Sequence, residues 1–243
     1  MNQKSNSNLK TSEKIIRLQN SIYPDQQLYW IHQICIDDVI GQKALLELLI
    51  NRRIIEKMNI NCLDGILFET LYYSKQDVIR ESVKNYFVNG LFQFDSLCSQ
   101  SITDHQYLQD LLIKHNFQEA DRFTQILLCK LVGLDKSSKR NWLYFTDISL
   151  IPSDDLKVID LMWRMYSRDK FGFSRQRQIW LTNNCNWEKL WLKIEWKYEG
   201  VARRYPSEFM WNINAPRGHL PLFNQLRGVQ TLSALFNHVA WNK

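Results

Sequence analysis

The stretch PSDDLKVIDLMWRMYSRDKFGFS, residues 152–174, decides the fold. Pro152 and Ser153 open a helix, because proline lacks the N–H that a first helical residue cannot use and serine favours helix starts. Leu156, Ile159, Met162, Trp163 and Tyr166 then recur at steps of three and four, the apolar stripe of one helix face. The helix ends in the loop Phe171-Gly172-Phe173-Ser174, and Ser174 is expected to cap the next helix. Arg175 and Arg177 fall in that helix's first turn, where positive charge opposes the macrodipole. The ordinary expectation for them is two long side chains reaching into solvent.

Working outward, the same periodicity continues in both directions. Thr103-Asp-His-Gln106 and Asn116-Phe-Gln-Glu119 both have the capping-box pattern, and the second opens a helix with Ala120, Phe123, Leu127 and Leu131 on one face. Together they predict an αα-hairpin. Gly133 ends it, and LDKSSKR, residues 134–140, reads as a polar loop. Asn186 is expected to cap a helix with Trp187, Leu190, Trp191 and Ile194 inward. A last helix begins near Val229 with Leu232, Leu235 and Phe236, and His238 is placed on it.

Between these helices runs NAPRGHLPLFNQLRGV, Asn214 to Val229. Pro216 and Pro221 remove backbone donors while Gly218 and Gly228 permit positive φ, so the segment is a shaped loop. Its Leu220, Leu222, Phe223 and Leu226 must lie on the core or on a ligand. With His219, Asn224 and Arg227 interleaved, the composition matches a small-molecule pocket rim, although standing alone it would more often be a loop pinned to its own core.

Residues 13–87 are helical text. Leu28, Ile31, Ile34 and Cys35 share a face, as do Leu45, Leu48 and Leu49, with Arg52 and Arg53 outside as a solvated pair. Breaks near Gly41, Met58, Ser74 and Phe87 give four or five compact helices. Periodicity fails from Val88 to Ile102, which places a domain boundary near residue 100. The expected fold is all-α: an N-terminal helical bundle over residues 1–100 and a mostly helical, loop-rich C-terminal domain over residues 101–243.

Composition bounds the function. Apolar residues make up 45% and charged residues 23%, ordinary for a globular chain, and no apolar run reaches the ~18 residues of a membrane span. The N-terminus lacks the apolar core of a secretory signal. Five widely spaced cysteines, none in a C-x-x-C pair, argue against a disulfide framework or zinc site and for a reducing compartment. Residues 141–243 hold 14 Lys and Arg against 9 Asp and Glu, and eight of the nine tryptophans, so a ligand is sought there. No nucleophile elbow, P-loop, dinucleotide fingerprint or H-E-x-x-H is present, which lowers an enzymatic reading.

The ordered set Trp142–Thr146 (WLYFT), Lys170–Ser174 (KFGFS), Lys193–Lys197 (KIEWK), Arg203–Trp211 (RRYPSEFMW) and the Pro/Gly loop resembles the genomes-uncoupled-four family from about Leu108 to Trp241. The resemblance implies a non-catalytic protein that binds protoporphyrin IX or Mg-protoporphyrin IX and stimulates magnesium chelatase through that enzyme's large porphyrin-binding subunit. It implies a plastid stromal location, or a cytoplasmic one in a cyanobacterium, compatible with peripheral membrane association. Carried over by position, Phe145, Phe173 and Tyr205 would line the porphyrin cleft, Leu220, Asn224 and Leu226 would belong to it, and Arg227 would lie beside the macrocycle. Arg203 and Arg204 are further candidates for propionates. The resemblance implies no axial ligand or bound metal, and a lone loop histidine such as His219 more often bonds a backbone carbonyl. Three positions depart from the pattern: Glu195 stands where the family usually has Gly, Arg175 replaces a small apolar residue, and Val239 replaces Pro.

Two readings of other classes stand beside it. Basic residues interleaved with Trp and Tyr suit a single-strand RNA adaptor, although most of these aromatics fall on buried helix stripes. A protein–protein scaffold without a small ligand is the other.

Overall fold

The computed structural model describes residues 9–88, 90–92, 102–134, 140–222 and 229–242. It divides into two compact units, Met1–Gln93 and Phe94–Lys243. The expected boundary near residue 100 and most of the loop at 134–140 fall outside the described residues.

Among the described residues the first unit has five α-helices, α1 (Thr11–Gln19), α2 (Pro24–Cys35), α3 (Asp38–Ile50), α4 (Cys62–Tyr72) and α5 (Asp77–Tyr86), with a π-helical turn at Asn51–Ile55 after α3. Their stripes meet in a core of Leu18, Ile31, Ile34, Leu45, Leu49, Ile66 and Leu71, all nearly inaccessible to solvent. Gly41 is not a break as expected but lies inside α3. A Cβ there would stand 1.9 Å from the Ile34 carbonyl oxygen, so only glycine lets α2 and α3 approach so closely. Nor is Arg52 solvated. It is buried and clasps Asp64 through Nε at 2.7 Å and Nη2 at 3.2 Å, while Asp64 Oδ2 also accepts the Asn61 N–H at 2.9 Å at the start of α4. The pair was illegible because Asp64 reads as an ordinary first-turn acid.

The second unit contains α6 (Ile102–Ile113), α7 (Phe117–Leu131), α8 (Ser153–Tyr166), α9 (Phe173–Thr182), α10 (Trp187–Lys193) and α11 (Val229–Phe236). A two-stranded hairpin, β1 (Lys197–Tyr198) and β2 (Val201–Ala202), is its only sheet among the described residues. The α8 stripe is fully buried as read, and Trp163 packs on Phe117 with centroids 6.0 Å apart while its indole N–H donates to Thr124 Oγ1 at 3.0 Å.

Helix starts were placed well and several of their caps were not. The helix expected at Thr103 begins at Ile102, and Asn116 makes no side-chain cap although α7 begins behind it. Asn186 does cap α10, accepting the Lys189 N–H at 3.0 Å. At α9 the cap comes from the preceding helix: Asp160 accepts the Ser174 N–H at 2.7 Å and the Ser174 hydroxyl at 2.6 Å. Arg175 and Arg177 are held rather than free. Arg175 Nε donates to Asp169 at 3.1 Å, and Arg177 Nε donates to the Phe236 carbonyl at 2.6 Å, at the negative end of α11. His238 lies beyond α11, opening a short 3₁₀ turn at Val239–Trp241.

Candidate functional site

In the loop at residues 214–222 the stretch 218–222 is buried, so its backbone must find partners within the protein. The partners come from the KFGFS loop, α9, Trp196 after α10 and α7. Gly172 N–H donates to the Leu220 carbonyl at 3.0 Å, and Gly218 N–H donates to the Lys170 carbonyl at 2.8 Å. The Gln176 amide donates to the Gly218 and Pro221 carbonyls at 3.0 and 2.7 Å. Trp196 Nε1–H donates to the His219 carbonyl at 2.8 Å. At the end of the segment, Leu222 N–H donates to Asp121 Oδ1 at 2.5 Å. The KFGFS and KIEWK segments are thus the posts on which this loop is strung.

His219 has both ring nitrogens committed. Nδ1–H donates to the Ile194 carbonyl at 2.6 Å and Nε2 accepts the Met210 N–H at 3.1 Å. Burial lowers its basicity, so it is a neutral brace bonded to a backbone carbonyl, as read from the sequence. His238 has the same role, with Nε2–H directed at the Ile151 carbonyl at 3.0 Å. Among the described residues, no group of three His, Cys, Asp or Glu is placed to hold a metal ion.

The sequence-derived candidates divide by exposure. Phe145 is 52% exposed on the turn preceding Ile148–Leu150, next to exposed Tyr144. Tyr205 is 44% exposed and meets Trp211 edge to face at 5.8 Å. It borders an open groove of about 420 Å³ with Asn116, Gln118, Glu119 and Arg122. Phe173 and Leu220 are fully buried, and the N–H of Gly172, the residue before Phe173, donates to the Leu220 carbonyl. Arg203 donates to the Glu208 carbonyl at 2.8 Å and reaches Glu195 at 3.4 Å, while Arg204 is exposed. Asn224, Leu226 and Arg227 lie outside the described residues.

Asp121 was missed. Burial pushes its carboxyl up to about 8, against the opposing effect of the Leu222 N–H, and its field helps burial to raise the Tyr205 phenol. The available signal was an acid on the apolar face of α7, one residue from Ala120 and three from Thr124, where a solvated carboxylate does not belong.

A family model described as GUN4-like matches residues 98–239. The chain belongs to the GUN4-like family. A Porphyra purpurea protein named uncharacterized protein ycf53 is 46% identical over 217 residues, covering 89% of this chain and 90% of its own. That alignment is longer than the second unit and so extends into the first. A Ycf53-like protein of Synechocystis is 38% identical, covering 84% of each chain. The chloroplastic tetrapyrrole-binding protein of Arabidopsis thaliana is 34% identical over 151 residues, 58% of this chain and 57% of its own. Among solved structures, GUN4 from Chlamydomonas reinhardtii aligns with TM-score 0.54 at 38% identity, covering 62% of this chain and 96% of its own. The GUN4-like match spans every candidate residue from Phe145 to Arg227. Glu195, expected from the resemblance to stand in place of a glycine, has φ +55°, the left-handed region that glycine adopts without cost.

Proposed function

We propose that this protein binds protoporphyrin IX and Mg-protoporphyrin IX in its second unit and stimulates magnesium chelatase as a non-catalytic accessory protein in the plastid stroma. The observation that carries this reading is 34% identity to a protein named as tetrapyrrole-binding, over the length of one such unit. A porphyrin is a broad apolar disc with anionic propionates. Exposed aromatic side chains take its face, and arginines take its carboxylates through charge-assisted hydrogen bonds. In this reading Phe145, Tyr205 and Leu226 meet the macrocycle, while Phe173 and Leu220 form the wall behind the loop. Asn224 and Arg227 close over the edge, and Arg203 and Arg204 supply further positive charge. The partner is the large porphyrin-binding subunit of the chelatase.

Titration of the purified chain with a water-soluble porphyrin tests the binding. Tryptophan quenching and a Soret shift that saturate near one equivalent are expected, with weak dependence on salt. Non-saturating change, or affinity that collapses between low and moderate ionic strength as nucleic-acid binding does, would overturn it. Adding the protein to reconstituted magnesium chelatase should raise the rate of magnesium insertion.

A further inference from the structure

A second groove, of about 680 Å³, lies between α8, α9 and the C-terminal turn, and none of the candidate porphyrin residues lines it. One wall is Lys157, Leu161 and Arg164, successive turns of α8; the facing wall is Arg177 and Leu181 of α9, with Trp241 at one side. Each wall repeats the same chemistry, a cation one turn from a leucine.

The charge is unbalanced. The acid in the lining is Asp160, and both its oxygens are engaged by Ser174, so it faces the start of α9. Arg164 is tied to Asp169 at 2.9 Å and lies 4.0 Å from Asp160, so the unbalanced cations are Lys157 and Arg177. Lys157 is exposed and makes no ion pair among the described residues. Arg177 is pinned through Nε to the Phe236 carbonyl, which holds its guanidinium at the groove wall and leaves both Nη atoms for another acceptor. One turn after Arg177, Leu181 is 43% exposed in the same lining.

We propose that this groove is a docking site for an acidic amphipathic helix of a protein partner. The open shape selects that occupant over a small molecule, which needs enclosure on most of its surface. Two ridges, each with a leucine one turn from a cation, fit a helix that presents leucines at one-turn spacing flanked by glutamates. The leucines seat on Leu161, Leu181 and Trp241, and the glutamates meet Lys157 and Arg177. The inference does not depend on the tetrapyrrole reading.

The test is an NMR titration of the isotope-labelled full chain with a synthetic helical peptide of about five turns carrying Glu and Leu along one face. A peptide with Gln in place of Glu is the control. Saturable shifts are expected at the amides around Lys157, Leu161 and Leu181 and at the Trp241 indole N–H. Affinity should fall with salt, and about tenfold in each of Lys157→Glu and Leu181→Glu. Both positions are exposed, and circular dichroism of each variant checks that the fold is intact. Shifts mapping elsewhere, equal binding of the Gln peptide, or unchanged affinity in both variants would overturn the proposal. Displacement of the peptide by lower concentrations of dodecanoate would overturn it too, by making the groove a small-molecule site.

Discussion

Asp121 on α7 and Leu222 at the end of the clamped loop lie 101 residues apart and share one short hydrogen bond, Leu222 N–H to Asp121 Oδ1 at 2.5 Å. The carboxyl is held well above its ordinary range, to about 8, because desolvation of the charged form outweighs this single donor. In the unfolded chain it titrates near ~3.9. Below that value both states hold the proton. Above it the folded state keeps a proton that the unfolded state releases, so this group's contribution to stability declines as pH rises through about 8 and is then lost. Asp121→Asn retains an acceptor oxygen and cannot ionise. Its melting temperature should therefore gain on the wild type as pH is raised from about 5 to about 8. A constant difference across that range would mean the carboxyl is not held protonated.

Gly172 and Asp160 form one device at the start of α9. Gly172 has φ +122°, and a Cβ there would lie 2.8 Å from the same Asp160 oxygen that accepts the Ser174 N–H. Gly172→Ala should destabilise by roughly 2–3 kcal/mol, through strained backbone and a displaced cap. Asp160→Ala leaves the Ser174 amide without its acceptor and should act in the same direction. Denaturant unfolding of the two single variants and the double variant checks this. The double variant should cost clearly less than the sum, because both changes remove one arrangement.

These two contacts mark what sequence could and could not reveal. Local periodicity is sufficient to place α8, because Leu156 to Tyr166 depend only on their own spacing. It is sufficient to recognise a shaped loop from Asn214, to be laid on the core or on a ligand, because its prolines and glycines act where they stand; the described part, residues 214–222, places Leu220 and Leu222 on the core. Most of what needed a particular distant partner was misread or missed: the Asp160 cap on Ser174, Arg52 with Asp64, Arg177 with Phe236, Asp121 with Leu222; the backbone-carbonyl role of His219 was the exception. The hairpin is a different case. Glu199 and Gly200 both have positive φ, joining Lys197–Tyr198 to Val201–Ala202. Its strands are two residues each, too short to show alternation, so the sequence reading did not place it. For the site, sequence named exposed Phe145 and Tyr205 and buried Phe173 and Leu220 alike, because an aromatic or leucine carries no local sign of which side of a wall it faces.

Glu195 occupies φ +55° and makes a 3.4 Å contact with Arg203. A left-handed non-glycine residue costs about 1–2 kcal/mol, whereas a partly exposed ion pair contributes ~0–1 kcal/mol. Glu195→Gly should therefore raise the melting temperature by a few degrees. Glu195→Ala loses the same pair and keeps a Cβ at the strained position, so it should give no such gain. If both variants melt below the wild type by equal amounts, the contact with Arg203 outweighs the backbone term.

The porphyrin reading can be separated from fold damage by comparing three positions. Phe173 is fully buried, so Phe173→Ala should cost roughly 3–5 kcal/mol of stability, and any lost binding there would be uninformative alone. Phe145 is 52% exposed, so truncating it removes little core packing. Phe145→Ala should leave the melting temperature of the ligand-free protein within a few degrees of wild type while weakening porphyrin, because the ring face it offers is lost. Arg227→Ala should remove one charged hydrogen bond to a propionate, worth about 1.5–3 kcal/mol or roughly ten- to a hundred-fold in affinity. A porphyrin whose propionates are esterified should bind Arg227→Ala and wild type nearly equally, since the missing partner is then missing on both sides. Calorimetric melting of the three variants, paired with titration by the free acid and the ester, checks each step. Should Arg227→Ala melt early yet bind the free acid normally once folded, the arginine braces the loop and the propionate is held elsewhere.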